Sequence, residues 1–318
     1  MRHRRNIALS IVVPVYNEED VLPEMLRRLS LVLKKLPVST QTIFVDDGST
    51  DKTLEILLNQ KNISNLQIFK SNQNHGHQTA ILYGLRLSSG NYVVTLDADL
   101  QDPPELIPEM YKKIKVRKNH YGKKYDVIQT SRSERKTDKL FKRLSSSAYY
   151  VLLQKMSKVN IIPHAADFRL MTRKVVNTII SENQPNAILR ILIPRLDFSI
   201  LEYKFERQER YSGQSKYSLT KMFSLAVDSI LSTNARPLRM ISLFGLVLSF
   251  VCLTLSILSI ITWLVSRNIP GWTSIIFFIL SLNGFLILFL GFIGEYIAKI
   301  YDSHIPVNHQ MYTRIVKK

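Results

Sequence analysis

The chain has 318 residues and a net charge of +18, so anionic partners are expected: nucleic acid, phosphorylated small molecules or a lipid surface. Roughly the first 235 residues are long enough to bury a full α/β core, whereas between Met240 and Gly294 only Arg267 is charged. Cys252 is the only cysteine, which excludes an intrachain disulfide and fits a reducing compartment.

The start, MRHRRNIALSIVVPVYNEE, has a basic opening and a short apolar run but no small-residue cleavage site. It reads as a first strand from Ile7 to Val15, not as a signal peptide. Asn17 to Asp20 supplies cap-type residues for a helix with Leu22, Met25, Leu26, Leu29, Leu33 and Leu36 on one face, ended by Pro37. A second strand, Thr42 to Val45, runs into Asp46 and Asp47. Ser49, Thr50 or Asp51 then caps a helix carrying Leu54, Leu57 and Leu58. Leu66 to Phe69 is a third strand, Asn72 to Gly76 a turn, and His77 to Leu87 a helix with Ala80, Ile81, Gly84 and Leu85 together.

Tyr92 to Leu96 reads as a buried parallel strand that stops abruptly in carboxylates, YVVTLDADLQDPPE. Along an extended chain residues i, i+2 and i+4 share a side, so Asp97, Asp99 and Gln101 are expected to converge on a hard cation. Carboxylate and amide oxygens suit Mg2+ or Mn2+, whose remaining positions go to waters and substrate phosphates. A solvated acidic turn is the plainer alternative for a bare Asp-x-Asp. The strand end, the Gln and the Pro103–Pro104 pair that stops the strand favour the metal. Strands alternating with helices imply a mostly parallel sheet covered on both faces, with ligands at the carboxyl ends of the strands. Pro14, Tyr16 and Glu18, then Asp46 and Asp47, then Asp97 and Asp99 can line one such crevice. No G-x-G-x-x-G follows the first strand and no P-loop motif occurs, which speaks against a dinucleotide dehydrogenase and a P-loop NTPase.

From Lys112 to Arg143 thirteen Lys or Arg face three acids, among Tyr111, Tyr121, Tyr125 and Phe141. A solvated helix face and loop is the usual fate of such a run. The chain's apolar end favours a surface turned to anionic lipid, where each cation contributes about 1 kcal/mol. No signature of a single-strand nucleic-acid binder accompanies it. A strand from Asp126 to Thr130 and a helix from Asp138 to Lys158 follow. A loop then leads to Ala166, Asp167, Phe168, Arg169 and Leu170, and a helix begins near Thr172 with Val175, Val176, Ile179 and Ile180. Phe198 to Phe205 is strand-like. In RQERYSGQSKYSLTKM, Arg207, Arg210 and Lys216 flank a flexible segment that can close over a diphosphate or serve as an inert linker.

Residues 216–238 are expected to form an amphipathic interfacial helix, with core packing as its rival. Residues 239–298 are expected to form a transmembrane hairpin with spans at about 241–265 and 275–293. Trp263 and Trp272 sit near the ends that face the connecting turn, as an aromatic belt requires. The turn holds one cation while both flanks are basic, which puts both termini and the catalytic part in the cytoplasm. Residues 299–318 read as a cytoplasmic basic tail.

The segments VVPVYNEE, FVDDGSTD, TLDADLQDPPE, ADFRLM, RYSGQSKYSLTKM and GEYIAKIYD, in this order with two spans, resemble the family 2 glycosyltransferases that load sugars onto polyprenyl phosphate. The likeness is to the bactoprenol-phosphate (undecaprenyl-phosphate) type and, more distantly, to dolichol-phosphate mannose synthases. It implies a GT-A fold over residues 1–215, a divalent metal, and inverting transfer from a nucleotide sugar to a polyprenyl phosphate at the cytoplasmic membrane face. UDP-glucose or another UDP-hexose is the favoured donor, and a homo-oligomer is compatible with the spans.

The resemblance assigns Pro14, Tyr16, Glu18, Asp46 and Asp97 to the nucleotide, and Asp97, Asp99 and Gln101 to the metal. It assigns Asp97, Asp99 and Asp167 to catalysis and Arg132, Arg143 and Ser147 to the lipid phosphate, while Arg207, Arg210 and Lys216 are expected near the diphosphate from their basic loop. Ala166 stands where the family commonly has Gly. A processive polysaccharide synthase is the nearest rival, but no Gln-x-x-Arg-Trp motif is present. A non-catalytic nucleotide-sugar-binding scaffold is the other, and the joint presence of Asp97, Asp99, Gln101 and Asp167 speaks against it.

Overall fold

The computed structural model describes residues 7–119, 121–132, 162, 165–182, 188–205 and 312–317, with isolated positions between 247 and 300. The chain divides into two compact units. The first comprises residues 1–154, 159–218 and 306–318, and the second residues 155–158 and 219–305.

The first unit is built on a sheet that begins with β1 (Leu9–Val15), β2 (Thr40–Asp46), β3 (Leu66–Ser71) and β4 (Tyr92–Thr95). It is extended by β5 (Val127–Arg132), β6 (Ala165–Thr172), β7 (Ile200–Phe205) and β8 (Tyr312–Lys317). Among the described residues its order is β7-β5-β6-β4-β1-β2-β3-β8. The parallel centre is β1 with β2 and β4 beside it and β3 beyond β2. Because β1, β2 and β3 build outward on one side and β4 joins on the other, the order reverses at β1. Ligand crevices open at such a point.

Alternation along the strands divides the core into two layers. Ile11, Val13, Phe44, Ile68, Val94 and Leu170 pack on one face with α1 (Leu22–Lys35) and α4 (Ile107–Val116). Val12, Ile43, Val45, Phe69, Val93 and Met171 pack on the other. That second face is covered by α3 (His77–Leu87), α5 (Arg173–Ser181) and α6 (Leu189–Arg195). The short α2 (Thr53–Leu58) follows the β2 loop and seats Leu57 in the first layer. Each large aliphatic side chain buried this way contributes about 1.5–3 kcal/mol. Two glycines allow close approach. A Cβ on Gly84 of α3 would lie 2.3 Å from Val12 Cγ1, and one on Gly90 would lie 2.5 Å from the Ser10 amide nitrogen.

Two strands run against the parallel direction and were not expected from the sequence. β6 pairs antiparallel with both β4 and β5, and β8 pairs antiparallel with β3 at the sheet edge. From the sequence, a loop leads to residues 166–170 and no strand is assigned there. Yet Ala166, Phe168 and Leu170 alternate into the first core layer, a period-2 signal the sequence does carry. β8 takes part of the segment read as a basic tail. Its run of Thr313, Ile315 and Val316 has the β-branched character of a strand.

In the second unit, the described positions from Val247 to Ile300 are helical except Gly271. Most of their apolar side chains are exposed, among them Phe278 at 55%, Leu290 at 58% and Ile297 at 60%, while Phe289 and Tyr296 are half-buried. Among the described residues, no helix is long and apolar enough to cross a membrane. The helices expected at 138–158 and 216–238 lie outside the described residues, as do most positions of the two expected spans.

Candidate active site

The carboxyl ends of β1 and β2 are tied by their loops. The Asn17 amide donates to Ser49 Oγ at 3.0 Å, and Asn17 Oδ1 accepts the Thr50 amide at 2.9 Å. The Glu18 amide donates to Thr53 Oγ1 at 2.8 Å. Asn17 has φ of 52°, a left-handed conformation that Asn tolerates better than most residues and that turns the chain back after β1. Pro14 is buried within β1, whereas Tyr16 is 38% exposed at the mouth. Asp46, fully buried, accepts the Ser49 amide at 2.9 Å through Oδ1. Among the described residues its buried Oδ2 has no hydrogen-bond partner, and burial pushes its pKa up.

Asp47 turns the other way. Its Oδ1 accepts the His75 amide at 3.0 Å and its Oδ2 the Gly76 amide at 2.8 Å, which fixes the entry to α3. Gly76 has φ of 95°, a left-handed conformation that favours glycine, and His77 follows as the first residue of the helix.

After β4 the chain turns and does not stay extended. Leu100 has φ of 60°, and Asp99 Oδ1 accepts the Gln101 amide at 3.1 Å. Asp97 and Asp99 are half-buried and Gln101 is buried. The strand-period argument for convergence of these three oxygens therefore does not describe the backbone here, and the turn sets their positions.

The antiparallel pairing of β6 with β4 brings Asp167 to the same end of the sheet. Thr95 pairs with Arg169, and Thr95 Oγ1 donates to the Asp167 carbonyl at 2.6 Å. The Asp167 carboxylate accepts from Arg169 and from Gln78 Nε2 at 3.4 Å. It also faces Arg190 at 3.7 Å and His77 at 3.7 Å. His77 Nε2 lies 3.2 Å from Asp97 Oδ1. His77, Asp97 and Asp167 each offer one ligand atom, all within 4.8 Å of one another.

Burial opposes the charge on Asp167, but His77, Arg169 and Arg190 outweigh it and hold the carboxyl well below its ordinary range. Burial likewise opposes the imidazolium of His77, and the two carboxylates reverse that, holding its pKa well above the ordinary value. Burial lowers the pKa of Arg169, whose side chain is fully enclosed. Once His77 gives up its proton, two oxygens and an imidazole nitrogen at this spacing have the chemistry of a divalent-cation site.

Asp46, Asp97, Asp99, Gln101 and Asp167 thus all sit at one end of the sheet. Arg132 ends β5, where the structure describes its backbone, and Arg143, Ser147, Arg207, Arg210 and Lys216 lie outside the described residues. Sequence reasoning passed over His77, Arg169, Arg190 and Tyr312. A histidine opening a helix directly after a glycine turn is the one available signal, since Arg169 and Tyr312 depend on pairings across the sheet and Arg190 on how α6 packs.

Residues 10–180 match Glycosyl transferase family 2. The chain is 38% identical over 307 residues to the uncharacterized glycosyltransferase YkcC of Bacillus subtilis (strain 168), covering 94% of this chain and 91% of that protein. It is 32% identical over 303 residues to the bactoprenol glucosyl transferase of Shigella phage SfV, covering 94% and 96%. It is 31% identical over 302 residues to the undecaprenyl-phosphate 4-deoxy-4-formamido-L-arabinose transferase of Salmonella choleraesuis (strain SC-B67), covering 93% and 89%. The match spans the β1, β2, β4 and β6 ends that form the acidic site, and the chain belongs to glycosyl transferase family 2.

Proposed function

We propose that this protein transfers a sugar from a nucleotide sugar, a UDP-hexose such as UDP-glucose being favoured, to the phosphate of a polyprenyl phosphate, with inversion, at the cytoplasmic face of a membrane. The observation that carries this reading is the antiparallel seating of β6 on β4, which brings Asp167 beside Asp97 at the end of β4. The near full-length likeness to two relatives named for bactoprenol and undecaprenyl phosphate supports the acceptor. Those two relatives are named for different sugars, so the identity of the donor is decided by assay and not by the family.

The buried Asp46 Oδ2 offers an acceptor for an N–H or hydroxyl of the nucleotide. Asp97, Asp99 and Gln101 are the residues that would hold Mg2+ or Mn2+, with His77 beside Asp97. Their donor chemistry fits such an ion, which when bound supplies positive charge opposite the diphosphate. In the reaction an oxygen of the lipid phosphate attacks the anomeric carbon. The bond from that carbon to the diphosphate oxygen breaks, and its electron pair leaves with the nucleoside diphosphate.

The attacking phosphate is already anionic, so no proton has to be removed. Asp167, compensated by Arg169 and Arg190, is poorly suited to act as a base and well suited to orient cationic or hydroxyl groups. Arg207, Arg210 and Lys216 would close on the diphosphate, and Arg132, Arg143 and Ser147 would receive the lipid phosphate.

Membrane attachment through residues 239–298 is supported by their apolar composition and by chain connectivity. The chain leaves the first unit after Ser218 and rejoins it at Pro306. If residues 219–305 enter a bilayer, an even number of crossings returns β8 to the sheet. The test is an assay of the purified protein with polyprenyl phosphate and a panel of radiolabelled nucleotide sugars, with and without chelator. Chelator-sensitive label in the lipid fraction from one donor is expected. Absence of lipid-linked label with every donor would overturn the reading.

A further inference from the structure

We propose that the C-terminal strand completes the nucleotide site, with Tyr312 as a positioning residue that acts through Asp47 on the entry to α3. The Tyr312 hydroxyl donates to Asp47 Oδ1 at 2.6 Å, joining the amides of His75 and Gly76 on the same carboxylate. Tyr312 is 4% exposed and Asp47 2%, so no water replaces the phenol at low cost. The strand pairing places the ring, because Tyr312 sits opposite Ser71 at the end of β3.

α3 also touches β8, through the Tyr312 backbone and ring and not through its phenol. Tyr83 Oη donates to the Tyr312 carbonyl at 3.0 Å, and the two rings lie 4.5 Å apart. His75 stands 5.8 Å from the Tyr312 ring. The loop after β2 is also close-packed on this entry, since a Cβ on Gly48 would lie 2.8 Å from the Gln73 carbonyl carbon. Burial and the Asp47 carboxylate hold the phenol above its ordinary range, so it remains a donor at any working pH.

The chain of contacts therefore runs from β8 through Tyr312, Asp47 and the His75 and Gly76 amides to His77, which meets Asp97 and Asp167. Asp47 belongs to the same strand end as Asp46, so a shift of this carboxylate moves the nucleotide side of the site as well. A segment more than 200 residues away in sequence thereby sets the register of the loop over which the nucleotide sugar would lie. The catalytic consequence rests on the proposed nucleotide-sugar reaction, whereas the positioning of α3 does not.

The test is Tyr312→Phe in the full-length chain, which keeps the ring and strand and removes one hydrogen bond to a charged group. We expect the KM for UDP-glucose to rise about tenfold, with kcat within about twofold. Amide exchange at His75 and Gly76 should quicken without nucleotide, while the β1 and β2 amides keep their protection. Tyr83→Phe, which leaves the phenol on Asp47, should keep KM and the exchange at both amides near wild type. Unchanged exchange at His75 and Gly76 in Tyr312→Phe would overturn the proposal. So would a uniform rise across the sheet, or an equal effect of Tyr83→Phe. If wild-type protein uses no nucleotide sugar, the functional reading falls and the exchange comparison still decides the role of Tyr312.

Discussion

His77 Nε2 stands 3.2 Å from Asp97 Oδ1, although one residue begins a helix on one face of the sheet and the other follows the next strand. The contact requires α3 to lie flat on β1 and β2 with its N-terminus at their carboxyl ends. Gly84 permits the approach, and Asp47 fixes the entry by accepting two consecutive amides. His77 then compensates Asp97 and Asp167 together, so the helix start and two strand ends behave as one electrostatic unit.

Replacing His77 with Ala should therefore lower sugar transfer by about 10–100-fold, the usual cost of losing a group that orients metal-binding carboxylates. Incorporation of labelled sugar into the lipid fraction, measured across a Mn2+ titration, gives the readout. Activity at the wild-type level with an unchanged Mn2+ requirement would contradict this role.

Asp99→Ala is expected to abolish transfer to polyprenyl phosphate while the protein still inserts into membranes. Its carboxylate also closes the turn on the Gln101 amide, so a modest loss of stability accompanies the change. Turnover comparable to wild type would remove Asp99 from the metal set.

The double-proline turn is pinned to α1 by Arg28, whose Nε and Nη2 donate to the Glu105 carboxylate at 2.7 and 2.6 Å. Burial raises the Glu105 pKa, but Arg28 outweighs it and the net shift is downward. The same hydrogen bond raises that of Arg28. A depressed carboxyl contributes stability that is present above its unfolded pKa and is lost as pH falls through the folded value. Glu105→Gln should therefore cost about 0.2–1 kcal/mol at neutral pH, and its gap from wild type should close in acid. Thermal melts of both proteins across the acid range check this, and a gap that widens on acidification would refute it.

Gly84→Val tests the seat of α3. Its Cβ would meet Val12 Cγ1 at 2.3 Å and Val45 Cγ2 at 3.2 Å, so the helix or the strand must shift. Overpacking of this kind costs about 1–3 kcal/mol, and a fall in Tm together with weaker transfer is expected. An unchanged Tm would show that α3 sits more loosely on the sheet than the contacts imply.

Much of the scaffold was legible in the residues themselves. The helix read from His77 to Leu87 has those bounds in the structure, and the strands at β1, β2, β3 and β4 fall where apolar runs end in turn residues or acids. The family resemblance read from VVPVYNEE, FVDDGSTD, TLDADLQDPPE and ADFRLM is borne out by the match over residues 10–180. What was not legible is what depends on partners far along the chain. From the sequence, residues 166–170 follow a loop and are assigned to no strand, because their place between β4 and β5 rests on pairings with strands far along the chain. Residues 299–318 looked like a solvated tail because nothing nearby shows that the edge of β3 lacks a neighbour.

By itself, then, the sequence determined the alternating strand and helix pattern, the acids at the strand ends and the family. Periodicity and turn chemistry are local properties, and motif spacing survives in one dimension. The tertiary structure alone decided that Asp167 joins Asp97 through an antiparallel strand, that His77 meets both, and that Tyr312 reaches back to Asp47. Those relationships arise from strand order and register, and backbone pairing across the sheet couples residues whose separation in sequence carries no signal of contact.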